Sequence, residues 1–402
     1  MLINNLYSKY SPLYFLAALG AGGLSVSFFM YPNFMIPHSG YPMITFDHLY
    51  PLLMGENMLT SILVGTALVV VAGLALLHFR LLFWNIGEYR KFKETDEFES
   101  LKNSNREISL MAIPLTLAMS VNVAFVLGAV FIPNLWNYVE YLFPIAIIAF
   151  LLIGLYALKI IGDYFTRIFI NGKFNFSENN NFSQMIAVFA FAMIAVGFAA
   201  PGAMSHHKEV NAIGMFLSIF FLSISFILGM IKMIISFKST LKHGIDKNSS
   251  ASLWIMIPIL TLMGITIIRL TMGLHHGFEE ALSKPSFFII TSVIISLQIF
   301  IGLIGYKVMK SVGYFKDHSI GSDANAGSFA LVCPGVAFFV FGMFFIVFGL
   351  VQNGLITNMS PLYFLLLFPF VLIQLQTVRV FFRLLCNVTA CGPCRKSKCV
   401  TC

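Results

Sequence analysis

Two sets of residues in this sequence have types and spacings that suit chemistry. The first is a pair of histidine doublets, His206–His207 and His275–His276, each closing an apolar stretch. Arg269, Met272 and His276 are spaced i, i+3, i+7, so on a helix turning 100° per residue they share one face. Arg269 is the one Lys or Arg that falls well inside an apolar stretch. Such a charge is expensive in hydrocarbon and should face a cavity, a partner or an anionic cofactor. Ala195, Ala199, Gly202 and His206 follow i, i+4, i+7, i+11, and small residues beside a histidine let a flat ring lie against a helix. One histidine of each doublet could then clamp a b-type haem between two helices, with Arg269 near a propionate. Two imidazoles leave no open position on the iron, which favours electron transfer. Other readings stay open. Small faces also pack helices together, and histidines at a membrane boundary can simply be solvated. A transition metal is a third reading, since His206, His207, Glu209, His275, His276, Glu279 and Glu280 carry nitrogen and oxygen ligands, with His206 and His276 as first choices.

The second set is a run of cysteines, Cys386, Cys391, Cys394, Cys399 and Cys402. Cys391-Gly-Pro-Cys394 has the sequence of a thioredoxin-type redox pair. Cys399 and Cys402 repeat the C-x-x-C spacing beside Arg395, Lys396 and Lys398, whose charge stabilises thiolate. Four thiolates also suit zinc or an iron–sulfur cluster, but the four-residue gap between the pairs is short for a zinc ribbon. Cys333, alone in an apolar run, reads as a small core residue.

The elements that must position these residues are membrane helices. The chain has 402 residues, 58% of them hydrophobic and 10% charged, with a mean hydropathy of +0.86. Ten apolar runs recur, at roughly 12–32, 57–85, 107–132, 140–166, 184–204, 210–236, 252–275, 286–310, 328–352 and 360–385, each long enough to span a bilayer. This implies a ten-helix transmembrane domain over 1–385 and a cysteine-rich cytoplasmic tail over 386–402. The net charge of +8 does not point to nucleic acid, because it is distributed by side. Of 25 Lys and Arg, 22 fall on the side holding both termini and the ends of even-numbered spans, and only Lys208 and Lys284 on the other. Positive charge marks the cytoplasmic face, so a multi-pass protein of the cytoplasmic membrane with both termini inside is expected. No cleavable signal is evident. Asp163 and Arg167 are placed to pair at i, i+4, and the charged stretch Glu88–Glu107 reads as a solvated connection.

Even spans end in Arg80, Lys159, Lys232, Lys307 and Arg379, 79, 73, 75 and 72 residues apart. That steady period reads as five copies of a helical hairpin. Pro114, Pro258 and Pro334 stand near the starts of three odd spans, where each would kink its helix. The odd spans are also rich in Gly and Ala. The expected fold is therefore all-α, five hairpin repeats in a ring, odd helices inside. On these features the chain resembles the TehA tellurite-resistance and plant slow anion channel family, and within it the TsoY (seleno)protein branch with its cysteine-rich tail. The resemblance implies a central path lined by odd helices, a homotrimer, and a phenylalanine gate for which Phe198 and Phe339 are candidates. Two functions follow as expectations. The first is a membrane redox protein with haem near the outer face, a quinol or thiol-redox partner, and thiol chemistry at Cys391, Cys394, Cys399 and Cys402. The alternative is an anion channel or transporter in which Arg269 attracts the anion and the tail regulates.

Overall fold

The computed structural model describes residues 2–172, 181–320 and 324–389. Ten helices are long and apolar enough to cross a membrane, and no strand occurs among the described residues. We number them as spans: 1, Pro12–Met35; 2, Met58–Phe92; 3, Asn105–Phe131; 4, Leu135–Asn171; 5, Ser183–Met204; 6, Lys208–His243; 7, Lys247–Phe278; 8, Lys284–Ser311; 9, Ala326–Val351; and 10, Pro361–Thr389. Odd and even spans differ in burial. The apolar stretches of the odd spans are 61–94% buried, those of the even spans 28–33%. Span 4 shows why. Its buried residues Phe143, Ile147, Phe150, Gly154, Ala157, Ile161 and Tyr164 form one stripe, while the exposed face is equally apolar, with Tyr141, Ile145, Ile148, Leu152 and Leu155. A helix apolar all round whose one stripe meets protein has its other face suited to lipid.

Each odd span packs against the even span that follows it. Span 1 also packs on spans 3 and 9, span 5 on spans 3 and 7, and span 7 on span 9. Every odd span opens with a 3₁₀ stretch, Pro12–Tyr14, Asn105–Met111, Ser183–Met185, Lys247–Ile255 and Ala326–Leu331. Each such stretch touches the one that opens the next odd span, and the last touches the first. Ser11, Ser104, Asp246 and Asn325 cap four of these starts with their side-chain oxygens. Pro114, Pro258 and Pro334 each stand third in the α-helical part, which begins at Ala112, Met256 and Val332. Each proline thus follows a change of winding at the entry, where a missing N–H costs least.

The Ile3 N–H donates to Thr389 O at 2.9 Å, so both described chain ends lie at one end of the bundle, here called proximal. The charges there are less solvated than the sequence suggests. Glu88 is 2% exposed and accepts from Asn5 N, Leu6 N and Lys91 Nζ. Glu107 is 4% exposed, so the stretch between them is not a simple solvated connection. Arg167 turns away from Asp163 and pairs with Glu107, Nε to Oε2 at 2.9 Å, also donating to Ser104 O at 2.8 Å. Lys232 is buried and donates to Gln184 Oε1 at 2.9 Å.

Candidate functional site

A cavity of about 860 Å³ lies among the five odd spans and is lined by all of them. Its proximal end is formed by Leu19, Met119, Phe189, Pro258 and Cys333, close above the 3₁₀ entries. The wall is apolar, from Gly23, Val26, Val196, Ile265, Val336 and Val340, with neutral polar groups at Asn33, Asn122 and Thr261. Among the described residues Arg269 is the single Lys, Arg, Asp or Glu of the lining. Its Nη1 donates to Val196 O at 2.9 Å, and among the described residues no acidic side chain pairs with it. The guanidinium has five N–H donors, so most of its donor capacity stays uncommitted beside a low-dielectric wall. Met272 and His276 line the same cavity, as their shared helical face predicts.

His38, His206, His275 and His276 line the distal mouth, with Tyr41 and Trp136. The His206 and His276 rings lie nearly parallel, their planes 16° apart and their centroids 6.4 Å apart, with His275 5.8 Å from His276. The two sides are held by different means. The helix of span 5 ends at Met204 and Ser205 is extended, so His206 does not follow the helix phase. Glu140, near the start of span 4, fixes that segment, accepting from Ser205 Oγ at 2.7 Å and His206 N at 2.9 Å. On span 7, Glu279 adopts a left-handed conformation that ends the helix, and His275 Nδ1 meets Glu280 O at 2.7 Å.

Arg269, His206, His275 and His276 thus reach one cavity. His207, Ala199 and Gly202 do not: His207 stands exposed at the start of span 6. The small face expected to lie against a flat ring is used in packing. Ala195 O accepts from Ser218 Oγ at 2.9 Å, and Gly202 is pressed against the backbone of Gly214 and Gly273. Asn211 ties the crossing together, its Nδ2 donating to Gly202 O at 2.6 Å and Gly273 O at 3.3 Å. The cavity face of span 5 is instead Met193, Val196, Gly197, Ala200 and Met204. A methyl group at Gly273 would meet the Gly202 carbonyl oxygen. Gly273→Ala should therefore destabilise the protein by about 1–3 kcal/mol through overpacking. Gly162→Ala, where nothing lies within 4 Å, should be neutral or stabilising. Thermal unfolding midpoints of the two variants test this.

Among the described residues no group of three or more His, Cys, Asp or Glu side chains is arranged to hold a metal ion, so Glu209, Glu279 and Glu280 do not complete a set with the histidines. His48 sits behind the mouth in a short helix, Phe46–Leu53, its ring centroid 6.1 Å from that of His38. Burial, reinforced by the His38 charge and opposed by Asp47, lowers its pKa below the ordinary 6.5. A base with a depressed folded pKa leaves stability intact above the unfolded value and removes it as pH falls through 6.5 to the folded value. Imidazole NMR should show His48 titrating below 6.5; a midpoint at or above that would contradict the packing seen here.

Other expectations need correction. Phe198 stacks on Phe221 at 5.6 Å and Phe339 packs on Tyr31 at 5.2 Å, so neither faces the cavity; Phe189 does. Cys333 contributes to the cavity lining as well as packing on the core. One site-builder had no signal in the sequence. Glu140 is an ordinary helix-start acid until its long-range partners are seen. His78 is fully buried between spans 1, 2 and 3, with Nδ1 2.7 Å from Ala18 O and Nε2 2.8 Å from Ser120 Oγ. Cys391, Cys394, Cys399 and Cys402 lie outside the described residues. Comparison with protein-family models, with curated proteins and with solved structures finds no match.

Proposed function

We propose that this chain is an anion channel or transporter of the cytoplasmic membrane, built as five helical hairpins in a ring with the odd helices inside and both termini cytoplasmic. The observation that carries the reading is Arg269, the single Lys, Arg, Asp or Glu lining the central cavity and one without an acidic partner among the described residues. A lone guanidinium in an apolar, water-reachable chamber attracts anions and repels cations. The span-to-span contacts, the sided distribution of Lys and Arg, and the likeness to the TehA and slow anion channel family support the arrangement. So do exposed apolar even helices, which suit a lipid surround. Assembly as a homotrimer belongs to the same proposal, as does a redox-regulatory role for the tail cysteines with a thiol-redox partner. The test is nitrate or chloride uptake into liposomes carrying the purified protein.

In a second reading His206 and His276 would hold a b-type haem that would exchange electrons with a quinol. His206 and His276 reach one mouth from two spans with ring centroids 6.4 Å apart, and Arg269 lines the same cavity. Haem would supply one-electron chemistry, while this chain would hold it and Arg269 would offset a propionate charge. An absorption spectrum of haem-supplemented protein decides: a Soret band lost in both His206→Ala and His276→Ala supports the reading, and a colourless preparation ends it.

A further inference from the structure

The chamber is larger and more apolar than a small inorganic ion needs. At about 860 Å³ it falls in the range of sites that enclose an organic molecule. One water accounts for roughly 30 Å³ of liquid, so a chloride or nitrate ion beside Arg269 would leave most of the space to water held against apolar wall. Much of the wall is carbon and thioether, including Phe125, Phe344, Met30 and Met193. Among the described residues no Lys, no second Arg and no acidic group lines it. The anchor is equally specific. A guanidinium with one N–H spent on Val196 O keeps donors for a planar oxyanion, and a carboxylate takes two of them in parallel.

We infer that the cavity is a binding site for an amphipathic organic monocarboxylate, its carboxylate on Arg269 and its apolar body along the Phe and Met wall. This rests on the proposed anion pathway but goes further by naming the substrate class. A short dicarboxylate fits poorly, because its second charge would lie in the mostly apolar chamber below the mouth histidines, where only neutral polar groups such as Asn122 and Thr261 line the wall.

Equilibrium dialysis of labelled acetate, butyrate and hexanoate against purified protein in nanodiscs tests the site, with nitrate uptake into liposomes as a second readout. Affinity should rise with chain length, by up to about fourfold per buried methylene. Succinate should bind no better than acetate, and hexanamide at least tenfold more weakly than hexanoate. Arg269→Gln should reduce hexanoate binding to the level of the amide. Ala200→Leu, which fills apolar wall and leaves Arg269 in place, should weaken hexanoate more than acetate. Arg269-dependent nitrate uptake with a flat carboxylate series overturns the inference and leaves the pathway standing. Arg269-dependent hexanoate binding without any uptake supports the inference and removes the pathway. Absence of both overturns both.

Discussion

Replacing Arg269 by glutamine is expected to lower anion uptake by about two orders of magnitude while leaving a folded, monodisperse protein. An anion about 4 Å from a guanidinium, at an effective dielectric of about 20, is held by roughly 4 kcal/mol, or nearly three decades in occupancy. Desolvation of the ion takes back part of this, hence the smaller figure. The side chain makes one hydrogen bond, to Val196 O, and no ion pair among the described residues, so removing its charge strands no buried carboxylate. Arg269→Lys should retain intermediate activity, keeping the charge but losing the planar fork. Wild-type rates in Arg269→Gln would place the conducting path elsewhere.

The second large effect falls on stability. Arg167→Ala is expected to cost about 3–5 kcal/mol, because it leaves the Glu107 carboxylate, 5% exposed, without its cation. The guanidinium also packs over the Tyr164 ring at 5.6 Å and donates to Ser104 O, so several contacts are lost together. The combined variant Glu107→Gln with Arg167→Met should recover most of the loss, since no uncompensated charge remains. Thermal unfolding of the single and double variants gives the coupling directly. A single variant within about 0.5 kcal/mol of wild type would mean that water reaches the pair.

The contrast between these two arginines shows what the sequence could tell. Arg269 was legible because an isolated charge in an apolar run must reach a cavity, a partner or an anionic cofactor, and it lines a cavity. The number of spans and the burial of the odd ones were legible for a similar reason: run length, glycine and alanine content, and proline placement are local properties. Arg167 was misread because Asp163, one turn away, was the only partner visible locally. Its real partner lies 60 residues earlier on another span, where burial makes the pairing stronger. The phase of span 5 failed at the same level. Ala199 and Gly202 look like a platform for a ring until Gly214 and Gly273, from two other spans, are seen to occupy that face. His206 reached the mouth because the helix stops two residues before it and Glu140 holds the extended segment, neither of which helical periodicity encodes.

The overwound entries of the five odd spans have a consequence for leakage. Each entry neighbours the next in a closed circuit beneath Leu19, Met119, Phe189, Pro258 and Cys333, so the five hold one another at a fixed girth. Enlarging that circuit requires two adjacent entries to part, whereas leak through its centre is set by side chains such as Phe189.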